Sequence, residues 1–210
     1  MSVTQLLVFA GVVVLGAMAP GPDFAVVMRH SVLSGRATGM ATAAGVATGV
    51  LVWAVAAATG ITALVAVASV GFTVVKVVGA AYLVYCGVQA LRSAWRVGRS
   101  GTGADAASAP QSGPWAAFRD GLLCNVLNPK AAIFFMALLP QFLPDGAVAV
   151  EALVLSVVAA SITAVWFVAV AALIAAVRRV LSRPGVRRGV DALSGVVLIG
   201  FGVRLAFSAR

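Results

Sequence analysis

Charged residues are scarce in this chain: they make up 10% of its 210 residues, with six Asp and Glu against fifteen Lys and Arg. Soluble domains carry roughly 25% charged residues, whereas 62% of this chain is hydrophobic and its mean hydropathy is +1.08. This composition excludes a soluble globular protein and indicates one polytopic membrane domain over residues 1–210. Because no length is left for a soluble catalytic domain, we expect no enzyme.

Cysteine and histidine are also rare, with two and one in the chain. Cys86 and Cys124 show no Cys-x-x-Cys spacing and lie in apolar sequence, so we expect small buried hydrophobic residues. Hard metal ions need several oxygen ligands, and soft ones need clustered Cys or His, so the sequence indicates neither a metal site nor a cofactor. His30 follows Arg29 and is expected in a solvated loop.

The apolar sequence divides into six segments that approach or exceed the ~20 residues needed to cross a ~30 Å hydrocarbon core. The boundary between the second and third segments, at 69–71, is the weakest. We predict membrane-spanning helices at 4–28, 39–68, 71–91, 119–143, 149–177 and 190–208.

Arginines test this division, because cytoplasmic connections of membrane proteins are enriched in Lys and Arg. A net charge of +9 would suggest nucleic-acid binding in a soluble protein, but here the arginines lie between apolar segments, so no nucleic-acid partner is expected. The pattern predicts six helices in the bacterial inner membrane with both termini outside, in preference to five. The connections after the first, third and fifth segments contain Arg29, Arg36, Arg92, Arg96, Arg99, Arg119, Arg178, Arg179, Arg183, Arg187 and Arg188.

The longest connection, residues 92–118, includes the small-residue stretch "RSGTGADAASAPQSGP" and is predicted to be a flexible cytoplasmic linker. It separates two three-helix halves, 4–91 and 119–208. Because three is odd, the second half enters the membrane inverted, as in inverted-repeat transporters. The predicted fold class is therefore an all-α integral membrane protein with two inverted three-helix repeats.

The first helix of each half is interrupted, by "APGPD" at 19–23 and by "NVLNPK" at 125–130. Proline lacks an N–H and frees a carbonyl one turn earlier. Unwound backbone at membrane depth persists only where it is buried in protein or lines a wet cavity, and there it offers carbonyls and helix ends to a substrate. The predicted substrate-binding residues are Pro20, Gly21, Pro22, Asp23, Asn125, Asn128, Pro129 and Lys130.

Asp23 and Lys130 carry opposite charges after the two breaks. An ionisable group near the bilayer centre costs ~3 kcal/mol or more, so it normally has a partner or a task. Asp23 is predicted to bind substrate ammonium and to exchange a proton; the alternative is a structural ion pair with Arg29 or Lys130. Gly45 and Gly49 form a small-xxx-small pattern and are predicted to serve helix packing.

These stretches resemble the lysine exporter superfamily of bacterial amino-acid exporters, in its homoserine and threonine exporter (RhtB) branch. The resemblance covers nearly the whole chain except 99–114, and "PGPD" with the NPK-to-PQF stretch is its most specific part. The matching stretches are "PGPD" at 20–23, "GVATGV" at 45–50, "GAAYLVYCGVQALR" at 79–92, "GLLCNVLNPKAAIFFMALLPQF" at 121–142 and "GFGVRLA" at 200–206.

The resemblance implies a secondary exporter of amino acids or their derivatives, driven by the proton gradient, with the lipid bilayer, protons and a small amino-acid-like substrate as partners. Exporters of basic amino acids in this superfamily typically have an acid in the second helix, whereas residues 39–68 contain none. We therefore expect a neutral substrate such as threonine, homoserine, leucine or a homoserine lactone. A monomer and a homo-oligomer both fit the sequence.

Two other functions compete with transport. A non-transporting membrane scaffold would use Asp23 and Lys130 for folding or assembly alone. A membrane thiol-disulfide protein would need Cys86 and Cys124 within a Cα separation of about 7 Å, usually at the helix breaks. Since the breaks carry Asp23 and Lys130 instead, the sequence favours transport.

Overall fold

The computed structural model describes residues 2–19, 21–58, 69–99, 113–143, 149–177 and 184–207. Within these ranges the chain is all-helical, as predicted, and contains no strand. Eight helices are present: α1 (Val3–Met18), α2 (Pro22–Ser34), α3 (Arg36–Ala58), α4 (Ser69–Arg99), α5 (Pro114–Val126), α6 (Pro129–Phe142), α7 (Ala149–Ala176) and α8 (Pro184–Phe207).

Two pairs of consecutive helices meet at sharp bends where proline interrupts the apolar sequence. α1 and α2 meet at 63°, and α5 and α6 meet at 60°. Pro22 and Pro129 occupy the first turns of α2 and α6, where the missing N–H would have no helical partner in any case. Each bend therefore places the N-terminus of a new helix, α2 or α6, inside the bundle.

α2 continues past the predicted end of the first segment at residue 28 and ends at Ser34. Gly35, with φ 94°, then turns the chain into α3, and this left-handed backbone region favours glycine. His30 consequently lies inside α2 and is 3% exposed, so the expected solvated loop is wrong. The buried imidazole has a protein partner, since its Nε2 lies 3.0 Å from the Asp120 carboxylate.

The predicted linker at 92–118 is partly helical. α4 continues to Arg99 and α5 begins at Pro114, since no proline interrupts 92–99 and proline suits a first helical turn. Residues 100–112, the centre of the predicted linker, lie outside the described residues, as do residues 59–68 before α4.

α2 lies at the centre of the helix bundle, in contact with α3, α5, α7 and α8. One of its faces contributes to an apolar cluster with α3 and α7, formed by Val27, Ala43, Val46, Phe167 and Ala171. Its other face contributes to a cluster with α4, α5 and α8, formed by Ala25, Val26, Ala80, Leu83, Cys124 and Leu198. A displacement of α2 must therefore disturb both clusters.

Large apolar side chains cover the outside of the bundle: Val165 and Leu173 of α7 are 70% and 69% exposed. Such a surface is unfavourable in water and suits lipid. Within the described residues, α3 and the Val150–Ala176 part of α7 are long and apolar enough to cross a membrane, and each bent pair adds a span if counted as one. The chain is thus a multi-pass membrane protein, and its six-span inverted layout remains a prediction.

Gly45 and Gly49 face α5 at close range. A Cβ at Gly45 would meet the backbone carbonyl of Phe118, and a Cβ at Gly49 would lie 2.7 Å from Asn125 Oδ1. Small residues at such positions allow two backbones to approach closely. The absence of a side chain at Gly49 leaves the space that the Asn125 side chain occupies.

Candidate functional site

The Asp23 carboxylate lies at the start of α2 and is held by two amides from the other half of the chain. Asn125 Nδ2 and Asn128 Nδ2 each donate to Asp23 Oδ2 across 3.1 Å. Asn125 is in the last turn of α5 and Asn128 precedes α6, so both flank the second helix break. The two breaks therefore meet at one point.

The same cluster contains acceptors without donors. Asp23 Oδ1 and Asn125 Oδ1 are both buried and have no hydrogen-bond partner. A buried acceptor left unsatisfied costs about 1–3 kcal/mol, and more if it is charged. This arrangement suits a ligand that brings at least two N–H donors, such as an ammonium group.

The local backbone explains why the second break holds its shape. Asn128 caps α6, with its Oδ1 accepting from the Lys130 backbone N–H across 3.0 Å. The Asn125 carbonyl accepts from the Asn128 N–H at 3.0 Å and from Trp53 Nε1 at 3.3 Å. These contacts satisfy groups that the interrupted helix would leave unpaired.

Lys130 brings a positive charge to the start of α2. Its Nζ donates to the Ala19 carbonyl at 3.0 Å, and it lies 3.7 Å from the point where a Cβ on Gly21 would be. Gly21 is the N-cap of α2 and provides no side-chain cap. An ammonium group beside an uncapped helix N-terminus favours an anion such as a carboxylate.

A cavity of about 50 Å³ lies beside these groups. Asp23, Asn125, Asn128 and Lys130 line its polar side, and its apolar wall includes Phe24, Phe134, Phe135 and Phe167. An engineered cavity of about 150 Å³ binds benzene, so a volume of about 50 Å³ has room for water molecules and is small for a whole amino acid. A ligand as large as an amino acid would fit inside it only if a wall residue moved.

The structure gathers most of the predicted site residues in one place. Gly21, Asp23, Asn125, Asn128 and Lys130 line the cavity. Pro22 and Pro129 begin the helices α2 and α6 that form the site. Pro20 lies outside the described residues.

The structure shows which partners the Asp23 carboxylate has and which of the predicted ion pairs it does not form. Asp23 and Lys130, both in the described part of the chain, form no ion pair, because the Lys130 ammonium donates to Ala19 and the carboxylate accepts from two asparagines. Arg29 pairs with Asp191 instead of Asp23.

Neither cysteine is among the residues that line the cavity, although the Cys124 thiol contacts the Asp23 carboxyl group. Both thiols are free, and Cys86 packs against the apolar cluster that contains the buried Cys124. Cys124 lies in the last turn of α5, beside Asn125.

Two further polar contacts on α2 were missed by sequence reasoning. His30 contacts Asp120, and Arg29 Nε donates to Asp191 Oδ1 across 3.2 Å. The available signal was the presence of Asp120 and Asp191 in a chain with only six acidic residues. This signal was not used, because Arg29 was assigned to the membrane edge, where no protein partner is needed.

Known proteins resemble this chain over nearly its full length. The family model of the LysE type translocator matches residues 14–209. The threonine efflux protein of Escherichia coli (strain K12) is 31% identical over 209 residues, covering 96% of this chain and 97% of that protein. The threonine efflux protein of Salmonella typhi is 31% identical over 195 residues, covering 93% and 94%. An uncharacterized membrane protein of Pseudomonas aeruginosa is 35% identical over 212 residues, covering 98% and 96%.

No solved structure matches the chain. The family match extends over both helix breaks and both halves of the sequence. The resemblance recognised in the "PGPD" and "NPK" stretches is confirmed: the chain belongs to the LysE type translocator family.

Proposed function

We propose that this protein is a secondary active exporter that moves a neutral amino acid out of the bacterial cytoplasm across the inner membrane, in exchange for protons. One observation carries the proposal: Asp23 Oδ1 and Asn125 Oδ1 are buried, lack donors and belong to residues that line the cavity. A substrate ammonium group would donate to both oxygens and would offset the charge of Asp23. The ammonium end of the substrate is thus assigned to the α2–α5 contact.

The substrate carboxylate is assigned to the Lys130 ammonium and the uncapped N-terminus of α2. Lys130 and Gly21 both line the cavity, and Lys130 Nζ donates to the Ala19 carbonyl just before the N-terminus of α2. A zwitterion fits these two ends, whereas a homoserine lactone has no free carboxylate to meet Lys130. Threonine, homoserine and leucine are therefore preferred over a lactone.

The proposal of a neutral side chain comes from the acid content of the cavity. Asp23 is the only acidic residue among the described residues that line it. Asp191, the one acid among the described residues whose side chain is fully buried, is occupied by Arg29 and Ser93. A second cation on a substrate would meet phenylalanine rings and no further acid, so a neutral side chain is preferred. This preference agrees with the relatives that are named threonine efflux proteins.

Proton antiport follows from the same carboxylate. If Asp23 binds substrate ammonium from the cytoplasmic side and a proton from the other side, the two ligands exclude each other. Each cycle would then exchange one amino acid for one proton at Asp23. No other ionisable acid in the described lining of the cavity competes for this role.

The proposed topology has six membrane spans in two inverted halves, residues 4–91 and 119–208, with both termini in the periplasm. The connection 92–118 then faces the cytoplasm with its arginines. Support comes from the two bent helix pairs, because each half contributes one and each places a helix N-terminus beside the cavity.

The test uses inside-out membrane vesicles, in which export appears as uptake of radiolabelled threonine. The parent protein accumulates threonine, Asp23→Asn falls to the level of empty vesicles, and a protonophore abolishes accumulation. Asp23→Glu, which keeps the charge, retains part of the activity. Full transport by Asp23→Asn at equal expression would refute the assignment of Asp23, and accumulation that resists the protonophore would refute proton coupling.

A further inference from the structure

Two polar links hold the second half of α2 to its neighbours. His30 Nε2 lies 3.0 Å from Asp120 Oδ2 of α5. Arg29 Nε donates to Asp191 Oδ1 of α8 at 3.2 Å, and Asp191 Oδ2 accepts from Ser93 Oγ of α4 at 2.8 Å. Adjacent residues of α2 are thereby tied to three different helices.

These links are built into the bundle and are not ordinary surface contacts. His30 and Asp191 are 3% and 0% exposed, whereas the Asp120 side chain is 44% exposed. Exposed ion pairs hold weakly, but a charge buried with its partner is costly to separate. The links thus run from the bundle interior to its accessible end.

The His30–Asp120 link shares one face of α2 with the candidate site, whereas Arg29 lies about 100° further around the helix and faces α8. Asp23 and His30 are seven residues apart, which is about two helical turns or ~10 Å along the axis. Asp23 contacts Asn125 and His30 contacts Asp120, so the α2–α5 contact is antiparallel and carries a polar contact at each end. The cavity lies at the Asp23 end, where α1 and α6 form its wall.

Apolar packing fills the interval between the two ends. Val26 and Cys124 belong to one apolar cluster there, with Leu83 and Leu198 from α4 and α8. The structure is therefore closed between the links and Asp23, and the cavity is found on the other side. A substrate that arrives from the link end needs α2 to move away from α5 and α8.

We propose that the His30–Asp120 and Arg29–Asp191–Ser93 links form the cytoplasmic gate of the transporter. The proposal rests on the function given above, which places the end of α2 near Gly35 at the cytoplasm. The N-terminus of α2 is the proposed carboxylate site, and the other half of the same helix carries both links. Release of the links therefore lets α2 move, which opens a path from the cytoplasm and shifts the binding site at the same time. Arg29, His30, Asp120 and Asp191 are gate residues that do not touch the substrate.

Cys124 provides a native reporter of gate opening. It is fully buried, it lies one turn after Asp120 on α5, and it belongs to the apolar packing between the links and the site. In a Cys86→Ser background it is the only thiol of the chain. Its rate of alkylation by a membrane-impermeant maleimide therefore measures access from one side of the membrane.

The experiment compares this rate in inside-out and right-side-out vesicles. Asp120→Ala, which removes the half-exposed partner, is expected to raise Cys124 labelling about tenfold in inside-out vesicles and to leave it unchanged in right-side-out vesicles. Arg119→Ala is the matched control, an exposed charge at the preceding position of α5. Arg29→Asp is expected to raise labelling likewise, and the double exchange with Asp191→Arg returns it toward the parent rate.

The gate is refuted if Asp120→Ala and Arg29→Asp reach the membrane at parental levels and leave Cys124 labelling unchanged. Faster labelling from both sides, or equal acceleration by Arg119→Ala, also overturns it, because such results indicate general loosening. Labelling needs no substrate, so the two proposals fail separately. If labelling rises only in inside-out vesicles and threonine is not transported, the gate is supported and threonine is rejected as the substrate. If threonine is transported and labelling is unchanged in the variants, the transport function is supported and the gate is rejected.

Discussion

Asn125 donates its side-chain amide to the Asp23 carboxylate across 3.1 Å, joining residues that are 102 positions apart in the sequence. This contact brings the end of α5 against the start of α2. The Asn125 side chain can lie there because Gly49 of α3 leaves room for it. A glycine assigned to helix packing from its spacing therefore also positions a group of the candidate site.

Gly49→Ala is expected to weaken threonine transport. The added Cβ would lie 2.7 Å from Asn125 Oδ1 and 2.8 Å from Asn125 Cβ, so Asn125 must leave the position from which it donates to Asp23. Overpacking typically costs about 1–3 kcal/mol, and we expect KM to rise about tenfold in vesicle uptake. Gly200→Ala is the control, since a Cβ there meets nothing within 4 Å. An unchanged KM in Gly49→Ala would show that Asn125 does not need this space.

Asn128 serves two purposes that substitution separates. Its Oδ1 caps α6 and its Nδ2 donates to Asp23. Asn128→Ser keeps a capping oxygen and loses the amide N–H that reaches Asp23, so its melting temperature stays near that of the parent while KM for threonine rises. Asn128→Ala loses both, which costs about 1 kcal/mol of stability in addition.

Thermal unfolding of the detergent-purified variants and vesicle kinetics measure the two effects. Equal melting temperatures for the serine and alanine variants would argue against the capping role. Equal KM values for Asn128→Ser and the parent would argue against the contact with Asp23.

The helix breaks and the residues around them could be predicted from the sequence, because proline and a lone charge in apolar sequence have few physical explanations. Asp23, Asn128 and Lys130 were named on that basis. That Asp23 pairs with asparagines and not with Lys130 depends on side-chain directions across two helices. No spacing along one segment contains that information.

The links of α2 were not predicted, and the reason is also physical. The positive-inside argument places Arg29 at the membrane edge, and it assumes that the arginine charge is solvated there. Here Asp191 neutralises it within the bundle, so α2 continues to Ser34 and carries His30 into a buried position. A hydropathy argument treats each charge separately and cannot register a partner 162 residues away.

Lys130→Gln is expected to reduce the preference for a substrate with a carboxylate. Threonine and threoninamide share the ammonium group, and only threonine carries the negative charge assigned to Lys130. Because Lys130 is exposed, the ion pair is worth about 1 kcal/mol or less, and the affinity ratio of threonine to threoninamide should fall about fivefold. Lys130→Arg, which keeps the charge, should retain most of the ratio.

Competition of each compound with radiolabelled threonine in vesicles gives this ratio. A ratio that is the same in the parent and in Lys130→Gln would remove Lys130 from carboxylate recognition. An equal loss of affinity for both compounds would instead indicate that Lys130 holds the break through the Ala19 carbonyl.

The contact between Gly16 and Phe134 is expected to set the size of the substrate side chain. Both residues line the cavity, and a Cβ on Gly16 would lie 2.7 Å from Cζ of the Phe134 ring, which must turn to make room. Gly16→Ala should therefore lower uptake of leucine more than uptake of threonine, about fivefold against twofold for a loss of roughly 1 kcal/mol at the larger substrate. In the double variant Gly16→Ala with Phe134→Leu, the smaller side chain frees the space, and leucine uptake should return toward the parent level. Gly11→Ala is the control in the same helix, because a Cβ at that position meets nothing within 4 Å. If Gly16→Ala depresses leucine and threonine equally, or if Phe134→Leu fails to restore leucine, the ring does not limit substrate size.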